Sequence, residues 1–255
     1  MSRTKCLNCE ETVIHHYCSH CGQKSDTKRI DWHYLIHDVP HSVFHLDKGF
    51  LPTLIGMIIR PGEVIQQYLD GKRARYFRPL TYLFILGTLA GLIYLNAPMN
   101  LEIAKNQDTK ELMSNIQKLL GKYYNIFTVA MIPLFSFFVW LFYRKERNFV
   151  EIMTAHFLIM GTVSILAVFN LLQYLTSDVG AAVFVSVFTT ILSLFYYTYA
   201  YATSFTSRKP WARWLIAVLL VAISNLLTMV LAIILAMLYI LFVMKKDNLE
   251  INLTL

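Results

Sequence analysis

Five stretches of this chain contain no Asp, Glu, Lys or Arg: residues 80–98, 124–143, 152–175, 180–203 and 214–244. A bilayer core about 30 Å thick is crossed by about 20 apolar residues in a helix rising about 1.5 Å per residue. The first two stretches fit that length with little tilt, and the next two fit with some. The fifth is long enough to tilt and protrude as one helix, or to break near Ser224 and Asn225. Divided, it would give two pieces too short to cross, so it counts once. A soluble helical core is a poor account of five such runs. Composition agrees: 56% of the 255 residues are hydrophobic and only 15% charged, against about 25% charged in an ordinary soluble domain. The expected fold class is an all-α membrane protein, a five-helix transmembrane bundle preceded by an N-terminal segment. The first apolar run begins too late to be a secretory signal peptide.

The charges outside those runs orient the chain. Placing the N-terminus in the cytosol puts 17 of the 23 basic residues inside: 11 in residues 1–79, three in 144–151 and three in 204–213. Only Lys105, Lys110, Lys118, Lys122, Lys245 and Lys246 fall outside. This bias predicts a cytoplasmic N-terminus and an external C-terminus. Tyr123, Tyr124, Trp140, Tyr143, Tyr174, Trp211 and Trp214 sit at run ends, where interfacial anchors belong. The first outer loop carries Leu112, Ile116, Leu119 and Leu120 on one helical face, with Asp108 or Thr109 as cap. That helix is expected on the outer membrane surface.

All four cysteines lie at the start, as Cys6-x2-Cys9, eight residues, then Cys18-x2-Cys21-Gly22. Two C-x2-C turns at this spacing point four thiolates at one centre and predict a short zinc ribbon over residues 1–26. So small a segment has almost no core, so the metal supplies its folding free energy. Four sulfurs leave no open position, so the Zn²⁺ is read as structural. Lys5 and Lys24 offset the charge of the site. A disulfide pair is disfavoured on a reducing cytosolic side. His15, His16 and His20 are read as exposed loop residues.

Residues 27–79 are expected to form amphipathic, basic helices on the membrane surface. His33, His37, His41 and His45 recur every four residues, but Pro40 interrupts a helix through them. They are read as the polar face of a surface helix rather than a metal site. Pro61 is placed to open the next helix and Gly71 to end it, with Val64, Ile65, Tyr68 and Leu69 on its apolar face. Arg60, Lys72, Arg73, Arg75 and Arg78 then cluster before the first span. Each such charge near an anionic leaflet contributes about 1 kcal/mol, so the five are candidate lipid-headgroup contacts. Nucleic acid is not an expected partner, because these charges face a membrane. No oligomeric state is implied.

Several motifs occur in order: Cys18-x2-Cys21-Gly22-Gln23, Asp47-Lys48-Gly49-Phe50, Thr53, Arg60-Pro61-Gly62, Tyr68-Leu69-x-Gly71-Lys72-Arg73, Tyr76 and Pro79. With the spans that follow, this series resembles the bacterial zinc-ribbon membrane proteins grouped as domain-of-unknown-function family 3667. The resemblance implies a multi-pass protein of the bacterial inner membrane. It implies no reaction and no catalytic residues.

Within the runs the one ionisable residue is His156, accompanied by Asn170, Asn225 and scattered hydroxyls. Intramembrane ionisable groups mark functional sites by default. Yet no carboxylate pair, H-E-x-x-H, activated nucleophile or phosphate loop accompanies it, and no enzyme is expected. Glu151 is read as a surface ion pair with Arg147. His156 is read as a buried donor to a neighbouring helix. Two function classes follow. One is a docking or scaffold protein, with a protein partner held by the ribbon. The other is a small transporter, channel or lipid-handling protein using His156, Asn170 and Asn225.

Overall fold

The computed structural model describes residues 4–38, 49–96, 107–166, 168, 169, 172 and 178–253. Two strands, β1 (Thr4–Lys5) and β2 (Thr12–Val13), pair antiparallel. Nine helices follow among the described residues: α1 (Trp32–Asp38), α2 (Phe50–Ile59), α3 (Pro61–Leu69), α4 (Pro79–Asn96), α5 (Gln107–Lys122), α6 (Tyr124–Tyr143), α7 (Phe149–Ile165), α8 (Val179–Ser204) and α9 (Pro210–Leu253).

Among the described residues, four helical segments are long and apolar enough to cross a membrane: Pro79–Asn96, Tyr124–Tyr143, Gly180–Ser204 and Pro210–Val230. They take up four of the five expected runs. The third run, residues 152–175, differs. Its described helix, α7, has 17 residues, about 25 Å, and most of residues 167–177 lie outside the described set. Almost every α7 side chain from Val150 to Ser164 is buried. α7 is the core of the bundle, packed by α4, α6 and α8, with α2 and α3 against it. The fifth run is continuous: α9 passes through Ser224 and Asn225 without a break.

Each start has a local cause. Asn148 and Glu151 form a reciprocal capping box at the head of α7, each backbone N–H bonded to the other's side chain at 2.8 Å. Asp178 accepts from the Gly180 and Ala181 amides at the head of α8. Pro61 opens α3, and Gly71, at φ +103°, ends its turn in the left-handed region. α4 carries Gly87 and Gly91 four apart. A Cβ on Gly91 would meet the Gly121 carbonyl at 2.8 Å, and one on Gly87 would strike Asn125. This small-x3-small pair lets α4 approach the α5–α6 corner closely. Gln117 of α5 donates to the Tyr94 carbonyl, so the amphipathic loop helix folds back on the far end of α4. The side chains of Asp108, Thr109 and Leu112, named for its cap and face, lie outside the described residues.

One face of the bundle collects the ends of many elements. The Arg147 guanidinium pairs with Asp70 at 2.7 Å, beyond α3. Gln66 of α3 donates to the Thr203 and Ser204 carbonyls at 3.1 Å, satisfying the open C-terminus of α8. Thr206 N–H donates to Glu146, and Arg208 to the Phe142 carbonyl. The three segments assigned to the inner side by charge therefore meet on a single face.

α3 corrects one expectation. Val64, Ile65, Tyr68 and Leu69 are buried, but against α2, α7 and α8 rather than lipid. Gly62 explains this: a Cβ there would come within 2.5 Å of the Thr203 backbone. Beside it, α2 leaves Leu51, Ile55, Ile58 and Ile59 uncovered, each more than half exposed.

Candidate metal centre and the membrane-buried histidine

The ribbon is built as two copies of one turn. The Glu10 amide donates to the Cys6 carbonyl at 2.9 Å, and the Gly22 amide to the Cys18 carbonyl at 2.9 Å. Cys6 N–H returns to the Glu11 carbonyl and Cys18 N–H to that of Gln23. Both turns close with a residue in the left-handed region, Glu10 at φ +63° and Gly22 at φ +74°. Glycine takes that geometry freely, whereas glutamate is strained in it.

These turns bring the sulfurs of Cys6, Cys9, Cys18 and Cys21 within 4.8 Å of one another, three pairs at 3.5 Å, with no disulfide among them. Four thiolates about 2.3 Å from a zinc ion would lie about 3.8 Å apart, so the donor set fits a tetrahedral metal. The Cys21 and His20 amides hold the Cys18 thiol down at about 7. The Cys9 thiol also receives a lowering backbone hydrogen bond at Glu11. Burial and the other three sulfurs outweigh it and push Cys9 up to about 12. A cation is what lets the second and later thiolates form. His15, His16 and His20 are exposed, as expected of loop residues.

The ribbon does not stand apart from the bundle. Gln23, 6% exposed, donates to the Gly71 carbonyl at 2.9 Å and accepts from the Arg73 and Ala74 amides at 3.0 and 3.1 Å. Leu7 lies over Gly71, where a Cβ would meet its Cδ1 at 2.8 Å. Downstream, Arg29 forms a bidentate pair with Glu151, both contacts 2.7 Å, and the Glu151 side chain is 1% exposed. This overturns the Arg147–Glu151 pairing: Glu151 faces the linker, and Arg147 goes to Asp70. The hydrogen bonds to Glu151 raise the Arg29 pKa, so it stays protonated. Asn148 Nδ2 adds a bond to the Ile30 carbonyl, and the Trp32 and Phe149 rings lie 6.0 Å apart.

The five candidate headgroup residues divide. Arg73 donates to the Lys28 carbonyl at 2.6 Å and its guanidinium lies 4.5 Å over the Tyr34 ring, so it fastens the linker. Arg60 pairs with Glu63 at 3.3 Å. Arg75 and Arg78 are exposed and Lys72 is half-buried on the same rim. Of the histidine series, His33 is exposed, the His37 side chain is not described, and His41 and His45 lie outside the described residues, as does Pro40.

His156 is 1% exposed and bridges three helices. Its Nδ1 lies 3.0 Å from the Ser136 hydroxyl of α6, and its Nε2 hydrogen-bonds the Tyr201 hydroxyl of α8. Two hydroxyls that can each donate or accept satisfy a neutral imidazole at both nitrogens. His156 is thus buried and hydrogen-bonded to two neighbouring helices. His156 and Asn225 line one cavity, whereas Asn170 lies outside the described residues. The reading from sequence missed Ser136 and Tyr201. A helical repeat placing Tyr197 and Tyr201 on one face was the available signal.

Residues 47–91 match the model of a family described as a protein of unknown function (DUF3667). The match supports that family for this chain and covers α2, α3 and most of α4. No curated protein and no solved structure matches.

Proposed function

We propose that this chain is a non-enzymatic, multi-pass protein of the bacterial inner membrane, with its structural zinc ribbon fixed to the cytoplasmic face as a docking platform. The carrying observation is the clamp. Gln23 and Arg29 tie the ribbon and linker to the 71–74 turn and to Glu151, while Ile14 and Tyr17 remain more than half exposed. A rigid small module presenting apolar side chains beside a basic rim suits capture of a protein partner. Arg60, Lys72, Arg75 and Arg78 hold that rim against anionic lipid.

The cytoplasmic assignment rests on the basic excess of the segments that share the ribbon's face. α7 leaves that face and α8 returns to it. α8 is about 39 Å long, enough to reach the opposite side. The chain then crosses five times and ends outside.

The test is affinity purification of the full chain from native membranes, comparing it with an Ile14→Glu, Tyr17→Glu double variant. The reading expects the variant to keep its metal and lose the co-purifying protein. An unchanged set of bound proteins would refute the docking role. A C-terminal reporter active only in the cytosol should stay silent; activity would refute the external C-terminus.

A further inference from the structure

Between α6, α7, α8 and α9 lies a cavity of about 290 Å³. Its depth follows from the helix rise. His156 is eight residues past Asn148, about 12 Å from the ribbon face, and Asn225 is 15 residues into α9, about 22 Å from it. The cavity therefore sits within the hydrocarbon layer. Its walls are mostly apolar, with Met131 and Phe135 on α6, Met160 on α7 and Val221 on α9.

Three features mark it as more than a packing gap. The Tyr197 hydroxyl donates to the Met160 thioether sulfur, a weak acceptor. Asn225 donates to the Val221 carbonyl of its own helix, and its amide oxygen receives no donor among the described residues. Thr228 likewise bonds back to Ser224, while Asn225 and Thr228 are exposed on a helix whose neighbours Leu226 and Met229 are 63% exposed. Polar side chains open to hydrocarbon are costly and find partners. Among the described residues no Asp, Glu, Lys or Arg lines the cavity, so a phosphate or carboxylate there would be uncompensated.

We propose that this cavity binds a neutral lipid of diacylglycerol chemistry, entering sideways from the bilayer past α9. Its hydroxyl donates to the Asn225 amide oxygen, its ester carbonyl accepts from Tyr197, and the first carbons of its chains lie along the apolar wall while the rest runs out past α9 into the bilayer. His156, satisfied by Ser136 and Tyr201, holds α7 and α8 in place at the cavity floor.

The test reconstitutes the full chain in vesicles of phosphatidylethanolamine and phosphatidylglycerol. The probes are a diacylglycerol and a phosphatidylglycerol with the same photoreactive acyl chain. After irradiation, labelled peptides are identified by mass spectrometry. The diacylglycerol should label the buried lining residues Thr128, Phe135 and Val221, whereas the phosphatidylglycerol should label only lipid-exposed positions such as Leu226 and Met229. Asn225→Leu should weaken that labelling about fivefold, as expected for one lost hydrogen bond. Thr228→Val serves as a second variant, and retained metal and a monodisperse elution profile report folding. Equal labelling of the lining residues by both probes, labelling indifferent to both variants, or no labelling of the lining residues would each overturn the proposal. The last is the outcome expected of a water-filled cavity.

Discussion

Gln23 stands two residues past the last cysteine and saturates three backbone groups of the 71–74 turn with one amide. Replacing it by alanine leaves a carbonyl and two N–H groups in a nearly closed site. Gln23→Ala should cost about 2–3 kcal/mol, read as a lower melting temperature of the full chain in detergent with metal content unchanged. Glu10 is the opposite case, a strained residue where its sister turn has Gly22. Glu10→Gly should strengthen the metal-loaded ribbon by up to about 1 kcal/mol, seen as slower metal transfer to a competing chelator. The Cys18 thiol gives the pH dependence. Its ordinary value of 9.0 is depressed to about 7, so its contribution is complete above about 9 and is lost as pH falls through 7. Zinc requires thiolates, so release should rise as the pH is lowered below about 7, monitored with a zinc-sensitive dye. The four-cysteine cluster was legible in the sequence because two C-x2-C turns at this spacing bring their sulfurs together. The Arg29–Glu151 pair was not: its partners are 122 residues apart, and a helical i, i+4 rule favoured Arg147.

At the scale of elements, the distinctive feature is how closely α3 approaches the end of α8. Gly62 makes the approach sterically possible and Gln66 satisfies the carbonyls it exposes. Gly62→Ala should force the two backbones apart and destabilise the chain by about 1–3 kcal/mol. Gly56→Ala makes a useful comparison, because its Cβ would meet only the Val64 side chain, which can move. Thermal melts of the two variants should separate, with Gly62→Ala lower. Pro61 and Gly71 located α3 from sequence, and periodicity identified its apolar face. What that face packs on was hidden, because lipid and a neighbouring helix select the same side chains. The uncovered face of α2 escaped for the same reason. α7 shows the limit in another way: a charge-free run reads alike whether it faces lipid or fills a core.

At the scale of the molecule, the ribbon, linker, α3 and the 144–148 and 205–209 loops form one cap over the shared ends of the helices. The basic excess that orients the chain is concentrated there, and part of it, Arg29, Arg73 and Arg147, is built into the cap rather than offered to lipid. In this account the metal braces the membrane domain's inner face rather than a tethered module. Arg29→Ala should therefore loosen the cap. Its cost is about 2 kcal/mol, less than for a wholly buried pair because Arg29 is largely exposed. The decisive measurement is hydrogen exchange on the full chain in nanodiscs, before and after zinc is removed by a chelator. A clamped ribbon predicts that residues 4–31, the 71–74 turn and the 148–151 cap lose protection together, while the centres of α4 and α6 keep theirs. Loss confined to residues 4–25, with 71–74 and 148–151 unchanged, would contradict it.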